Sequence, residues 1–170
     1  MPFNTLARRA AVTAAFCALL ALPAGAAVTV TQTAALSFGK LVPGTSGGTV
    51  TLSPAGVRSA SGVTLFTQGA TQQAAAFTVV GGTGGAICTL SVPTFAPAPL
   101  SLNGAAMGIS NFYVSDAGNS LRLSPPESSA SITLDGLGGY SVKVGAMLTV
   151  GPNQAAGNYA STFSVSVSCP

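Results

Sequence analysis

The chain closes with the stretch that decides its fold, Asn158-Tyr-Ala-Ser-Thr-Phe-Ser-Val-Ser-Val-Ser-Cys-Pro170. Apolar residues occupy its odd positions, with Ser161 as the one polar exception, and hydroxyl residues fill the even positions from Thr162 to Ser168. Successive side chains of a β-strand point to opposite faces, so this pattern predicts a strand with one apolar and one hydroxyl face. Such a strand requires neighbours along its edges and a second layer over its apolar face. Our hypothesis is that the rest of the chain supplies most of that sandwich and that a partner supplies the missing edge.

The preceding sequence predicts further short strands. Apolar residues recur at every second position from Tyr140 to Val150, which predicts a long strand directly before the closing one. No segment after residue 26 has an apolar period of 3.6, and roughly nine or ten strand-like runs alternate with turn residues. The predicted fold class is therefore all-β, an antiparallel immunoglobulin-like β-sandwich.

Three local features refine this prediction. The glycine cluster Gly81–Gly85 lies between two apolar runs, 77–80 and 87–92, and predicts a hairpin. The proline-rich segment Pro93–Pro99 predicts a crossover rather than a central strand. The apolar phase slips between odd and even positions within Met107–Val114, which a β-bulge would explain.

The first 26 residues have the pattern of a secretory signal peptide. A positive pair, Arg8 and Arg9, precedes the apolar run Ala10–Leu22, and an A-x-A pattern predicts cleavage between Ala26 and Ala27. The alternative, a membrane anchor, requires roughly 18 apolar residues, and this run is shorter. We therefore expect export to the periplasm, the cell surface or the medium, with no integral membrane anchor.

The remainder, residues 27–170, is long enough for one domain with a proper core. It has no histidine, its net charge is close to neutral, and it lacks the basic patch that nucleic-acid binding needs. So few charges do little to keep copies apart, which favours assembly on a surface. Its charged residues are Lys40, Arg58, Asp116, Arg122, Glu127, Asp135 and Lys143.

Two cysteines remain after signal cleavage, Cys88 and Cys169. In an oxidising compartment, two cysteines suggest one disulfide. Each cysteine shares its strand face with apolar residues, so both sulfurs are expected to point inward. A reactive or metal-binding pair is the alternative, but neither cysteine has a histidine or carboxylate as a sequence neighbour.

Catalytic motifs are weak. The segment Gly44–Gly48 matches G-x-S-x-G around Ser46, but the motif works beside a histidine base and before a helix, and the chain has no histidine. The carboxylates Asp116, Glu127 and Asp135 each lie in a turn or loop sequence, where solvation is the expected role. We predict a protein that is not an enzyme.

Binding motifs are equally sparse. Gly81–Gly85 lacks the following lysine and helix of a phosphate loop, and Asp116–Asn119 lacks the downstream carboxylate of a calcium loop. No cofactor and no metal is therefore expected. Phe112, Tyr113 and Tyr140 are candidates for a recognition patch, although core packing is the more usual role of aromatic residues in small sandwiches.

Four stretches of the chain have a recognisable sequence. They are Ala35-Leu-Ser-Phe-Gly-Lys-Leu-Val-Pro-Gly44, Thr49-Val-Thr-Leu-Ser-Pro-Ala-Gly-Val-Arg-Ser59, Gly145-Ala-Met-Leu-Thr-Val-Gly-Pro-Asn-Gln-Ala-Ala-Gly157 and Tyr159-Ala-Ser-Thr-Phe-Ser-Val-Ser-Val167. In this order, they resemble the secreted bacterial domain of unknown function numbered 4402. The start and finish also resemble spore-coat-U and other chaperone–usher pilin-type domains.

The resemblance implies an exported immunoglobulin-like sandwich of a Gram-negative bacterium, with no catalytic residues. It also implies assembly by strand donation, with like subunits, a periplasmic chaperone and an usher as partners. The expected strand-donation edge is the closing strand, through Tyr159, Phe163, Val165 and Val167. The alternative is a self-contained binding or adhesion module, its edge capped by Pro170 and the disulfide. Its ligand would then contact loops such as Pro93–Pro99 or Asp116–Pro126.

Overall fold

A computed structural model describes residues 27–69, 71–96, 107–118 and 121–170. These residues form strands, turns and connecting segments, and none of them is helical. The strands, in chain order, are β1 Thr29–Ala34, β2 Leu36–Pro43, β3 Gly48–Leu52, β4 Arg58–Ser61, β5 Val63–Leu65, β6 Ala75–Val80, β7 Ile87–Ser91, β8 Phe95–Ala96, β9 Gly108–Asp116, β10 Arg122–Leu123, β11 Ser129–Thr133, β12 Tyr140–Val150, β13 Gly157–Ser161 and β14 Ser166–Ser168.

The largest sheet is built around β12, the long strand that the sequence predicts. β12 pairs with β9 along most of its length, with β6 through residues 140–144 and with β3 through residues 146–150. β9 therefore lies on one edge of β12, while β6 and β3 share the other. β1 extends the sheet beyond β6, β4 extends it beyond β3, and β8 and β10 pair with β9.

Two three-stranded sheets, β13–β2–β5 and β11–β7–β14, complete the described fold. They are linked through the closing segment, because β13 pairs with β2 and β14 pairs with β7. The ring of Phe163, between β13 and β14, packs against Phe77 of β6 and Phe112 of β9. The closing segment thus faces the large sheet, and every ladder in the described residues is antiparallel, which confirms the predicted β-sandwich.

The core consists of the inward positions of both layers. Apolar residues at these positions are almost completely removed from water, which is the main driving force for the fold. The largest fully buried side chains are Tyr159, Phe38, Leu36, Leu41, Leu52, Leu90, Met107, Ile109, Leu148, Val50, Val79 and Val114.

The phase slip in Met107–Val114 is a β-bulge, as predicted. Gly145 pairs with Tyr113 and Met147 pairs with Ser110, so two residues of β9 oppose Ala146 alone. One of the two, Asn111, has a φ of 52°. The extra residue returns apolar side chains to the inner face, and the buried residues of this stretch are Met107, Ile109, Phe112 and Val114.

The hairpin predicted at Gly81–Gly85 is wrong. β6 pairs with β1 and β12, whereas β7 pairs with β11 and β14, so the glycine cluster carries the chain between sheets. Its glycines allow close contact with a second turn, since the amide of Gly82 donates to the carbonyl of Gly138 at 3.1 Å. A Cβ at Gly138 would overlap with the carbonyl oxygen of Gly82. Close approach of two backbones, rather than hairpin geometry, therefore explains this glycine cluster.

The closing stretch, predicted as one strand, is divided. Residues 157–161 pair with β2 and residues 166–168 pair with β7, while residues 162–165 belong to no ladder in the described chain. The predicted alternation nevertheless holds, because Tyr159, Ser161 and Val165 are buried. Burial on one face fixes this alternation without requiring a continuous partner strand.

The proline-rich segment begins the crossover predicted for it. β7 belongs to a three-stranded sheet and β8 pairs with β9 of the large sheet, so the chain changes layers after Ser91. The end of the predicted crossover, residues 97–99, lies outside the described residues.

Candidate functional site

The predicted disulfide between Cys88 and Cys169 is present. The two Cα atoms are 4.3 Å apart, and 81 positions separate the cysteines in sequence. Ser168 pairs with Thr89, so the bond joins the next opposed positions of the same antiparallel ladder. It fastens the end of the chain to β7, and it indicates an oxidising environment such as the periplasm or the cell exterior.

The closing segment has a free edge. β13 and β14 each have one ladder partner among the described residues, and residues 162–165 have none. No loop or turn hydrogen bond between backbone groups in the described chain involves residues 162–165. The carbonyl of Thr162 accepts a hydrogen bond from the hydroxyl of Ser161 at 3.4 Å. Backbone groups of the segment that have no ladder partner form a template for a further strand.

The four side chains predicted for strand donation all belong to the apolar face of this segment. Tyr159 is fully buried, and its hydroxyl donates to the carbonyl of Ala155. Phe163 packs its ring 5.5 Å from Phe77 and 4.9 Å from Phe112, between centroids, so Phe112 belongs to the core rather than to a recognition patch. Val165 is buried, whereas Phe163 and Val167 remain partly exposed on the same face.

A second feature is a cavity of about 650 Å³ at the surface of the large sheet. Its walls include the turn after β3, residues 113–117 at the end of β9 and residues 122–124 at β10. A cavity of this size falls within the range of roughly 300–1,000 Å³ that is typical of small-ligand sites. We call it the polar cavity, and its hydroxyl, aromatic and charged lining residues are Ser53, Tyr113, Ser115, Asp116, Arg122, Ser124 and Lys143.

The backbone explains how the polar cavity forms. Gly145 of β12 lies against the turn after β3, and a Cβ there would overlap with the carbonyl oxygen of Leu52. Glycine therefore lets that turn approach the sheet and form one wall. Across the floor, Ser115 of β9 pairs with both Arg122 of β10 and Lys143 of β12. Directly opposed residues share a face of the sheet, so these three side chains form one row.

A family model described as Domain of unknown function (DUF4402) matches residues 28–168. The chain belongs to this family. Neither the curated proteins nor the solved structures include a match to it. The description assigns no activity to DUF4402, so function has to be argued from the residues of this chain.

The DUF4402 domain has a hydrogen bond between two ionisable groups, and one of them, Asp116, is also a residue of the cavity wall. The Tyr140 hydroxyl donates to a carboxylate oxygen of Asp116 at 3.1 Å. Burial, then this hydrogen bond and the negative charge of Asp116, raise the pKa of Tyr140 to about 12. Tyr140 is thus neutral at physiological pH and holds the Asp116 carboxylate in place.

The other candidate motifs of the DUF4402 domain lie, where the structure describes them, in turns or at exposed positions. Ser46 is exposed in a turn that leads into β3. Asp135 accepts hydrogen bonds from the amides of Leu137 and Gly139 at 2.9 and 2.8 Å, which closes the turn before β12. Glu127 is exposed, and Asn119 of the calcium-like segment lies outside the described residues. Within the part of the chain that the structure describes, no three potential metal ligands come together.

The predicted signal peptide, residues 1–26, lies outside the described residues of the DUF4402 chain, and so does Ala26 of the cleavage site. Ala27, on the other side of that site, is exposed and precedes β1. A search of the described residues for a helix long and apolar enough to cross a membrane finds none.

Sequence reasoning did not predict the polar cavity, although it singled out Tyr113 and Asp116 individually. Arg122 and Lys143 are 21 positions apart, and only the pairing of β9 with both β10 and β12 brings them together. The sequence feature that could have indicated the polar cavity is the small number of charged residues. Three of the seven charged residues after position 26 line this cavity.

Proposed function

We propose that this protein is an exported, non-catalytic structural subunit of a bacterial surface or fimbrial assembly, joined to like subunits by β-strand donation. The observation that carries the proposal is the free edge along residues 162–168. An added strand would satisfy backbone groups there and cover the partly exposed Phe163 and Val167.

The donor in this proposal is β1 of a neighbouring subunit. β1 is itself an edge strand that pairs only with β6 among the described residues, and most of its positions are exposed. Its ladder is interrupted by a register shift between Gln32 and Ala34, which weakens its hold on its own sheet. Six residues at about 3.3 Å each span about 20 Å, which suits an edge of seven residues.

The oxidising compartment and the low charge support the same proposal. A disulfide-bonded chain exported through a signal peptide would fold in the periplasm, where a chaperone would cover the free edge until an usher delivers the next subunit. A nearly neutral surface offers little charge repulsion between copies. Assembly therefore meets little electrostatic opposition.

The test removes one backbone amide, a hydrogen-bond donor, from the closing segment. Ser164 lies in the segment outside any ladder, and its side chain points to solvent. Ser164→Pro removes an amide from the segment that has no ladder partner and leaves the ladders of β13 and β14 intact, so it should block assembly. Ser164→Ala keeps the amide and is the matched control. Size-exclusion chromatography with light scattering should show polymers for the wild type and Ser164→Ala and monomers for Ser164→Pro.

A folded Ser164→Pro protein that polymerises as the wild type does would overturn the proposal, and so would a wild type that stays monomeric at high concentration. Thermal unfolding and the intact disulfide establish that the proline variant is folded. If Ser164→Pro does not fold, Ser164→Lys, which places a charge on the same edge, takes its place.

A second candidate, a self-contained binding or adhesion module, is favoured by the polar cavity. The cavity includes Asp116 and Arg122–Ser124 of the Asp116–Pro126 loop. The disulfide also fixes the end of the closing strand in its own domain. The two candidates are compatible, since a subunit that assembles through one edge can bind a ligand on another face.

A further inference from the structure

The described residues include four cationic side chains, and two of these contact other groups of the fold. The guanidinium of Arg58 donates to the carbonyls of Phe38 at 2.8 Å and Phe66 at 2.6 Å, so it ties two strands to a loop. The ammonium of Lys40 lies 5.5 Å from the centre of the Phe66 ring, a cation–π contact. Both cations therefore have structural roles.

The side chains of the other two cations, Arg122 and Lys143, have no hydrogen bond or ion pair within the described residues, and both residues line the polar cavity. They flank Ser115 across neighbouring strands, which places their Cα atoms about 10 Å apart. Side chains of this length can converge on one anion between them. Arginine offers a planar fork of donors and lysine a point charge, and both suit carboxylate, sulfate or phosphate groups.

The other residues that line the polar cavity indicate which class of anionic ligand would fit it. Tyr113 offers an aromatic ring, and its register partner Gly145 has no side chain to cover it. A ring with a polar tip suits a ligand that has both an apolar face and hydroxyl groups. Ser53 and Ser115 both accept and donate hydrogen bonds, as multiple hydroxyls require. Sugar rings combine an apolar face with several hydroxyls.

We propose that the polar cavity binds an acidic saccharide, with its anionic group between Arg122 and Lys143 and a sugar ring on Tyr113. The inference rests on the second candidate function, since it names the ligand class of that binding module.

The test uses the oxidised full-length chain and a pair of matched probes. Oligogalacturonate carries a carboxylate on each sugar, and its fully methyl-esterified form has the same ring without the charge. Isothermal titration calorimetry at low salt should show tighter binding of the acidic form. Arg122→Gln and Lys143→Gln should each weaken it about ten-fold or more, and Lys40→Gln, with the same change in net charge, should not.

Tyr113→Ala should weaken binding of the oligosaccharide while leaving binding of free sulfate unchanged, which separates the ring contact from the anion contact. Equal affinity for the acidic and the esterified probes would overturn the acidic class but leave a saccharide-binding module. Binding of neither probe would overturn both the inference and the module. An equal loss in Lys40→Gln, or tighter binding of a single-stranded oligonucleotide or of anionic vesicles than of oligogalacturonate, would also overturn the inference.

Discussion

At the scale of single residues, the pairing of Tyr140 with Asp116 makes a prediction about pH. The pKa of Tyr140 is raised to about 12 by burial and then by Asp116, whereas in the unfolded chain it is about 10. Deprotonation thus begins in the unfolded chain, so this group leaves stability unchanged below about pH 10 and lowers it as the pH rises from 10 to 12. A titration followed by the NMR signal of the Tyr140 Cζ atom should have its midpoint near 12.

Asp116→Asn should lower the pKa of Tyr140 toward 10 without reaching it, because burial, the largest cause, remains. Glu127→Gln, which removes a carboxylate that does not act on Tyr140, is the matched control and should leave the midpoint in place. An unchanged midpoint in Asp116→Asn would contradict the assigned role of the carboxylate.

At the scale of elements, the disulfide should account for much of the attachment of β14. β14 has three residues and one ladder partner among the described strands, so few hydrogen bonds hold it. The chain-entropy model gives about 4–5 kcal/mol for a loop of this length. Replacing both cysteines with serine should lower the free energy of unfolding in denaturant by about that amount. It should also speed hydrogen exchange of the β14 amides ahead of those in β12.

Reduction of the Cys88–Cys169 disulfide provides the control for this prediction. Reductant should destabilise the wild type and have no effect on the double serine variant. Equal unfolding midpoints for the oxidised wild type and the double serine variant would show that β14 is held by packing alone.

The elements also show what the sequence predicts and what it does not. The alternation in β12, the slip at Asn111–Phe112 and the inward direction of Cys88 and Cys169 follow from local side-chain pattern, and the structure confirms them. The partners of each strand do not follow from local pattern. A glycine cluster between apolar runs is equally consistent with a hairpin and with a passage between sheets. The ladder partners distinguish the two, because β6 pairs with β1 and β12 whereas β7 pairs with β11 and β14.

For the candidate site, too, local side-chain pattern predicts one part and strand pairing decides the other. The apolar face of the closing segment could be anticipated from the alternation of its residues. The polar cavity could not, since its two cations meet only through two ladders of β9. Long-range pairing is therefore the information that a single sequence does not contain.

At the scale of the whole molecule, strand donation predicts that each subunit has one donor and one acceptor that can be disabled separately. Val30 of β1 is partly buried and would point into a neighbour's core, whereas Thr31 points to solvent. Val30→Asp should therefore abolish donation, and Thr31→Asp, with the same charge on the opposite face, should not.

Ser164→Pro disables the acceptor. Each defective variant alone should be monomeric, and an equimolar mixture of Val30→Asp with Ser164→Pro should give 1:1 dimers by light scattering. An unfolded Val30→Asp chain would form no such dimer, so the mixture distinguishes lost donation from lost folding. Polymers of Val30→Asp alone, or monomers of Thr31→Asp, would show that β1 is not the donor.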